Sequence, residues 1–483
     1  MIPFIGYAPD VETQTNGVIT ACDGFYPTER GMRSTPTGAN AVYSAFPLAI
    51  VGMSAIRYLD GTGTTFVGTS AKLYQLGTSS ASDVSKGGGY ALGASDRWSF
   101  AQFGDTTIAA AKTETLQSAA KGGNFADISG APKGKLVTSA SGFVMIADVN
   151  DTTLGDQSDR WWCSAYLDST SWTPSTATQA TTGRLIDSPG PITALKALGD
   201  NVVVYKERAM WVGAYTGGDA TWEFQRLPGD VGARSNESVV SVEYSHFFVG
   251  TDDFYMFDGT RAVSIGTPIR KTFFRDLVSS EFAYKIIGSY DRVNGTVWWF
   301  YPSKSSTVLD KAVIYHIKTG RWGAASISVE YASEYLAGGT TYEGIGSLYS
   351  TYNDLPTTIL YDSEFFTSRF PQILVANTSH VLQSLTGTPG TSTLTTGNYG
   401  DDDQYSMIDY VRPRFTIAPA SASCVAYSDD DNGDAFQVAD QSDLIDNKFD
   451  LRVTSHWHRF AITTNGDAEI IGLSVKAGSA GER

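Results

Sequence analysis

The sequence predicts an almost all-β protein: a β-propeller of six or seven blades, an additional C-terminal β-sandwich-like domain and an extended N-terminal arm. Three observations lead there. The first is composition: 49 Gly, 25 Tyr, 24 Phe and 10 Trp stand among abundant Thr, Ser and Val, with few runs of strong helix formers, a balance that favours strands and turns. The second is a recurring unit. "TFVGTSAKLYQLG" (Thr65 to Gly77) and "FFVGTDDFYMFDGTRAVSIG" (Phe247 to Gly266) share Phe-Val-Gly-Thr followed by an aromatic-bearing strand, and "NVVVYKERAMWVGAYTG" (Asn201 to Gly217) is built alike. The third is spacing. With Phe66, Ile108, Val144, Val202, Phe248, Val297 and Leu336 as strand anchors, successive intervals are 42, 36, 58, 46, 49 and 39 residues, close to the roughly 40 to 50 residues of a four-stranded blade.

In chain order, residues 1–42 are rich in Pro and Gly and read as the extended arm. Residues 43–385 hold the propeller. Its 58-residue interval implies an inserted loop containing "SDRWWCSAYLDSTSWTP" (Ser158 to Pro174). A chain of 483 residues exceeds the roughly 250 to 300 residues over which one core keeps growing, and repeats relax that limit. The one helix expected lies in "RKTFFRDLVSSEFAY" (Arg270 to Tyr284), about four turns with an apolar stripe at Phe273, Phe274, Leu277 and Val278. A Gly/Thr/Asp-rich linker (Ser384 to Ser406) then leads into short alternating strands, so residues 386–483 read as the sandwich-like domain.

Charge narrows the function. A net charge of −16 and a pI near 4.7 argue against a protein that grips phosphate backbones with Lys and Arg. An acidic wall still suits a path along which nucleic acid slides, because like charge disfavours close approach. Three distant cysteines, Cys22, Cys163 and Cys424, give neither a disulfide framework nor a zinc motif, and a reducing compartment of synthesis is expected. No basic segment precedes an apolar core at the N-terminus, and no run reaches the roughly 20 apolar residues of a membrane span; membrane insertion is not expected.

Catalytic and ligand motifs are weak. Ser164, Asp168 and Trp172 lack the spacing and the glycine of a sialidase aspartate box. Paired carboxylates abound among 51 acids, but acid–base work needs two at a fixed separation in one cleft. "HWH" sets His456 and His458 on one strand face without a third ligand nearby, so cross-strand packing is the better reading. In "SDDDNGDAF" (Ser428 to Phe436), Asp430, Asn432 and Asp434 alternate as calcium ligands do, yet Ala435 occupies the glycine position and Gln441 the closing glutamate. Asp401 to Asp403 have less support still. The sequence therefore offers no catalytic, cofactor-binding or metal residue, no cofactor is expected, and the chain reads as a non-enzyme.

The order "WWCS...LDSTSW.P" followed by "IDSPGPITALKALGDNVVVYKERAMW" (Ile186 to Trp211) resembles the tail hub, or nozzle, proteins of short-tailed bacteriophages, also called packaged-DNA stabilisation proteins. The similarity extends to "GYAPDVETQTNGVITACDGFYPTERGMRSTP" (Gly6 to Pro36) and "VWWFYPSKSSTVLDKAVIYHIKTGRWG" (Val297 to Gly323). One departure is visible: Asp168-Ser169 stands where the family carries Asp-Pro. The resemblance implies a six-bladed propeller with an added β-domain, assembled as a homohexameric ring at the distal end of the tail. It implies a virion protein made in the host cytoplasm, which holds an adaptor protein, spikes or fibres and a needle or plug, while genomic DNA passes through its lumen without tight binding. On that reading Trp161, Trp162 and Trp172 pack a seam of the fold, with Asp168 and Ser171 satisfying turn hydrogen bonds. Two alternatives stand beside it: a glycan hydrolase using two carboxylates in the propeller funnel, and a lectin-like module stacking sugars on Trp457 and Tyr427.

Overall fold

The computed structural model describes residues 1–41, 43–77, 80–218, 220–335, 351, 372–431 and 435–482. Seven four-stranded antiparallel meanders form the propeller. Blade 1 runs through Ile50–Arg57, Gly63–Thr69, Leu73–Leu76 and Ala81–Asp83; blade 2 through Ser99–Phe103, Thr106–Ala110, Gln117–Ala120 and Ala126–Asp127. Blade 3 comprises Lys133–Ala140, Phe143–Asp151, Gly155–Cys163 and Thr181–Arg184, and blade 4 comprises Ile192–Leu198, Asn201–Lys206, Met210–Tyr215 and Trp222–Arg226. Blade 5 takes Val240–Val242, Ser245–Val249, Phe254–Phe257 and Ala262–Ser264; blade 6 takes Ile287–Asp291, Thr296–Tyr301, Leu309–His316 and Trp322–Val329. Blade 7 takes Tyr331–Tyr335, Gln372–Ala376 and Leu382–Gly387, and borrows its outermost strand, Thr37–Asn40, from the start of the chain. Six blades are self-contained sheets, whereas blade 6 is continuous with a larger one.

The recurring apolar runs are the second strands. Phe66, Ile108, Val144, Val202, Phe248 and Val297 fall in the second strands of blades 1 to 6 in turn, and Leu336 lies outside the described residues. These strands are covered on both faces by neighbouring blades, so they need unbroken apolar runs instead of alternation: every residue of Thr296–Tyr301 is buried. The core is accordingly distributed between blades. One cluster joins blades 3 and 4 through Phe143, Trp161, Val204 and Trp211; another joins blades 4 and 5 through Val203, Tyr205 and Phe248. Tight hairpins keep strands in register. Between the first two strands of blade 3, Ser141 and Gly142 have φ of 49° and 80°, as a two-residue turn with both central residues left-handed requires.

The N-terminal segment is extended, as expected, but it is woven into the protein throughout. From the outer strand of blade 6, pairing passes through Phe25–Pro27 and Met32–Ser34 to Glu469–Glu482, Gln404–Ile417 and Phe449–Ser455, making one ten-stranded sheet. A seven-stranded sheet contains Gly6–Tyr7, Val18–Asp23, Thr391–Thr396, Trp457–Asn465, Ser421–Asp429 and Gln437–Asp443. The two sheets share a core in which Cys424, Phe460 and Ile462 meet Val411, Leu451 and Leu473, and that cluster runs on into Val249, Trp299 and Trp322 of blades 5 and 6. Position 386 is thus a change of topology without a break in the core. Gly17 permits the threading: at φ 81°, a Cβ there would lie 1.9 Å from the Pro3 carbonyl oxygen.

The expected four-turn helix is shorter. Arg270–Thr272 makes one α-helical turn, Phe273–Leu277 a wider π-type turn and Ala283–Lys285 a 3-10 turn. Val278 is extended and bridges Ser303, and the Ser279 amide donates to the Pro302 carbonyl. Burial of Phe273 against Phe254 and Tyr301 fixes the first turn, and pairing with blade 6 overrides helical propensity beyond it.

Candidate functional site

The aromatic-rich stretch of blade 3 is a seam. Adjacent residues on a strand face opposite ways, so Trp161 packs toward blade 4 with its ring 4.7 Å from that of Phe224, while Trp162 and Trp172 join the cluster facing blade 2. Trp162 Nε1 donates to the Trp172 carbonyl at 3.0 Å, and Trp172 Nε1 to that of Ser169 at 2.9 Å. Asp168 closes the turn: its carboxylate accepts from the Thr170 hydroxyl at 2.6 Å and amide at 2.8 Å, bonds that hold its carboxyl below the usual range. Residues 164–180 supply the insertion expected from the long interval, pinned by the Ala165–Asp168 and Ser175–Ala180 bridges.

The propeller's central channel gathers the charged side chains that the sequence did not single out. Arg97, in the loop leading into blade 2, reaches across one mouth of the channel. Its guanidinium donates to the Lys285 carbonyl at 3.2 Å, lies 3.7 Å from the Glu237 carboxylate and sits 5.8 Å from the centre of the Tyr331 ring. Those partners precede blades 5 and 6 and open blade 7, so one side chain ties four blades together. Beside it a cavity of about 360 Å³ is lined by Lys196, Glu237, Arg292 and Glu334 among others. Arg292 pairs with Glu334 at 3.4 Å. Burial pushes the Glu334 carboxyl up against the opposing pull of Arg292, and burial pushes the Lys196 ammonium down. Nothing in sequence spacing marks Arg97; its role arises only when seven loops converge.

The C-terminal residues weighed as ligands make hydrogen bonds within the fold. His456 Nδ1 lies 3.2 Å from the Asp401 carbonyl, and His458 Nε2 lies 2.8 Å from the Ser406 hydroxyl; both rings are buried. Trp457 is also buried, its Nε1 donating to Asp402 at 2.7 Å, so its face is not offered as the stacking platform that a lectin reading with Tyr427 needs. Asp430 accepts from the Ser455 hydroxyl at 2.8 Å, while Asn432 and Asp434 lie outside the described residues. Among the described residues no group of three His, Cys, Asp or Glu could hold a metal ion. Cys22, Cys163 and Cys424 are free thiols that burial pushes up to about 12.

No protein-family model matches the sequence, and no curated protein matches it. Among solved structures, this chain is similar to one in the "Crystal Structure of Mitotic Checkpoint Complex", at 9% identity and a TM-score of 0.39, over 74% of this chain and 95% of that one. It is also similar to the computationally designed Ika8 protein, at 12% identity and a TM-score of 0.35, over 72% of this chain and 100% of that one. Neither degree of likeness bears on what the chain does.

Proposed function

We propose that this chain is a structural protein of a short phage tail: a nozzle or hub whose copies form a ring, hold adaptor and receptor-binding proteins, and surround the path of the ejected DNA. The observation that carries this reading is where the family-like strings fall. Gly6 to Pro36 supplies the strands through which blade 6 and the C-terminal sheets become one hydrogen-bonded body, while Ile186 to Trp211 and Val297 to Gly323 run through blades 4 and 6. A part that must hold its shape while DNA passes benefits from such continuity, because continuous pairing and a shared core leave no independent hinge between the two regions. Ring closure also needs head-to-tail surfaces that complete themselves. Electron microscopy and mass photometry of the chain purified with its tail partners test the reading: a hexameric ring at the tail tip is expected, and free monomers alone would overturn it.

One observation favours a second reading. Glu237 and Glu334 share the channel cavity, and burial raises the Glu334 carboxyl, which is what a general acid in a glycan hydrolase requires. Release of reducing sugar from host surface polysaccharide, abolished by Glu334→Gln, is its expected outcome. No turnover across a panel of such glycans removes it.

A further inference from the structure

An acidic chain has gathered cations at one end of its propeller. Beside Arg97, a cavity of about 380 Å³ is walled by Arg97, Lys112, Lys135 and Arg234, with Asp148 and Glu237 as the acids facing them. Lys112 is matched, lying 2.8 Å from both Asp148 and Asp156. Arg97 has Glu237 at 3.7 Å and Arg234 has Glu207 at 3.8 Å, distances at which a charge is balanced without a short hydrogen bond. Lys135 is exposed and has no carboxylate partner among the described residues. Two further lysines stand near this mouth without lining the cavity. Lys285, whose carbonyl holds Arg97, turns its Nζ to the Thr307 carbonyl, and Lys196 lines the adjoining channel with Asn236 and Glu237. Burial pushes both ammonium groups down, helped for Lys285 by the nearby Arg97 and opposed for Lys196 by Glu237.

We propose that this mouth is a binding site for a compact phosphate-type oxyanion, held chiefly by Lys135 and enclosed by the guanidinium groups of Arg97 and Arg234. The ligand class follows from the donors. Ammonium and guanidinium groups offer N–H only, the Ser95 and Ser158 side chains on the same wall add hydroxyls, and such a set suits a ligand rich in acceptors and carrying negative charge. The cavity holds several water volumes of about 30 Å³ each, enough for one or two phosphate groups and too little for a duplex. The site does not depend on the tail reading.

Titration calorimetry of the full chain with pyrophosphate at low ionic strength tests it. Saturable binding at one site is expected, weakened at least about fivefold by Lys135→Gln and unchanged by Lys318→Gln, which removes an exposed ammonium, paired with Glu29, from the turn between the last two strands of blade 6. Ser158→Asp, which adds a negative charge to the wall, should weaken binding as well. Circular dichroism checks that each variant is folded. Absence of saturable heat up to about 10 mM, or equal loss in the Lys135 and Lys318 variants, would overturn the proposal. Binding of duplex DNA that depends on Lys135 would overturn it too, by making the mouth a nucleic-acid surface.

Discussion

The Tyr205 hydroxyl lies 2.7 Å from His246 Nδ1, joining blade 4 to blade 5 where neither side chain reaches solvent. The other ring nitrogen, Nε2, is 3.0 Å from the Ala197 carbonyl, so it carries the proton and Nδ1 accepts from the phenol. Burial pushes the imidazole down from 6.5 to about 4 and the phenol well up. Above pH 6.5 His246 is neutral in the folded and unfolded chains alike. Between 6.5 and about 4 the unfolded chain takes up a proton that the folded one refuses, so stability falls with pH across that window, by on the order of 3 kcal/mol. Melting temperatures from pH 7.5 to 4 should show this loss, and His246→Gln should flatten the part of the profile above pH 5. An unchanged profile in the variant would place the acid sensitivity elsewhere.

Val203 stands in the second strand of blade 4, fully buried with Tyr205, Val239 and Phe248. Val203→Asp puts an unpaired carboxylate into that seam, at a cost that exceeds the usual margin of stability. The variant is expected to be insoluble or unfolded by circular dichroism, and soluble, folded protein would contradict the strand's place.

Lys206, also fully buried, donates from Nζ to the carbonyls of Leu185 and Ser188 at 2.7 and 2.6 Å. It thereby ties the second strand of blade 4 to the segment arriving from blade 3. Lys206→Ala leaves a cavity and two carbonyls without this donor, so chemical denaturation should show a loss of about 2 to 4 kcal/mol. Lys206→Met keeps the stem and should lose less.

What the sequence makes legible is local. Six of seven strand anchors land in second strands because a strand covered on both sides must be apolar throughout, and residues such as Val202 to Val204 announce that without help from distant parts of the chain. Pairings across long separations leave no such mark. Nothing in Thr37 to Asn40 reveals that it completes blade 7 beside Leu382–Gly387, and the Phe273 stripe gives no hint that Val278 is claimed by Ser303. The channel residues are the least legible, since Arg97, Glu237 and Lys285 become neighbours only through closure of the ring. The seam tryptophans were readable because aromatic residues on both faces of one strand have few other uses in a blade.

Closure by the N-terminal strand has its own consequence. Removing residues 1–40 exposes the edge of Leu382–Gly387, detaches blade 6 from Glu469–Glu482 and takes Phe4, Ile19 and Phe25 out of the shared core, uncovering apolar residues of that cluster such as Trp322, Leu394 and Leu473. Exposed edges and apolar surface invite association. The truncated chain is expected to aggregate and to be cut rapidly in limited proteolysis, whereas a truncation that stays monomeric and resistant would make the segment dispensable.

The proposed conduit makes the last prediction. If copies of a chain with net charge −16 encircle DNA that must slide, the wall of the ring's lumen should carry more Asp and Glu than Lys and Arg, and the chain should bind duplex DNA weakly even at low salt, where attraction would be strongest. That lumen lies between copies; it is distinct from the propeller's own channel, which Arg97 crosses. Scattered surface acids that serve solubility alone would leave the lumen without bias. Apolar constrictions grip DNA without charge, so weak binding in solution must be read together with the assembled structure. A lumen lined mainly by Lys and Arg, or tight duplex binding that falls steeply with added salt, would mean that basic side chains neutralise phosphates. The ring would then be a clamp on DNA, and the repelling conduit would be wrong.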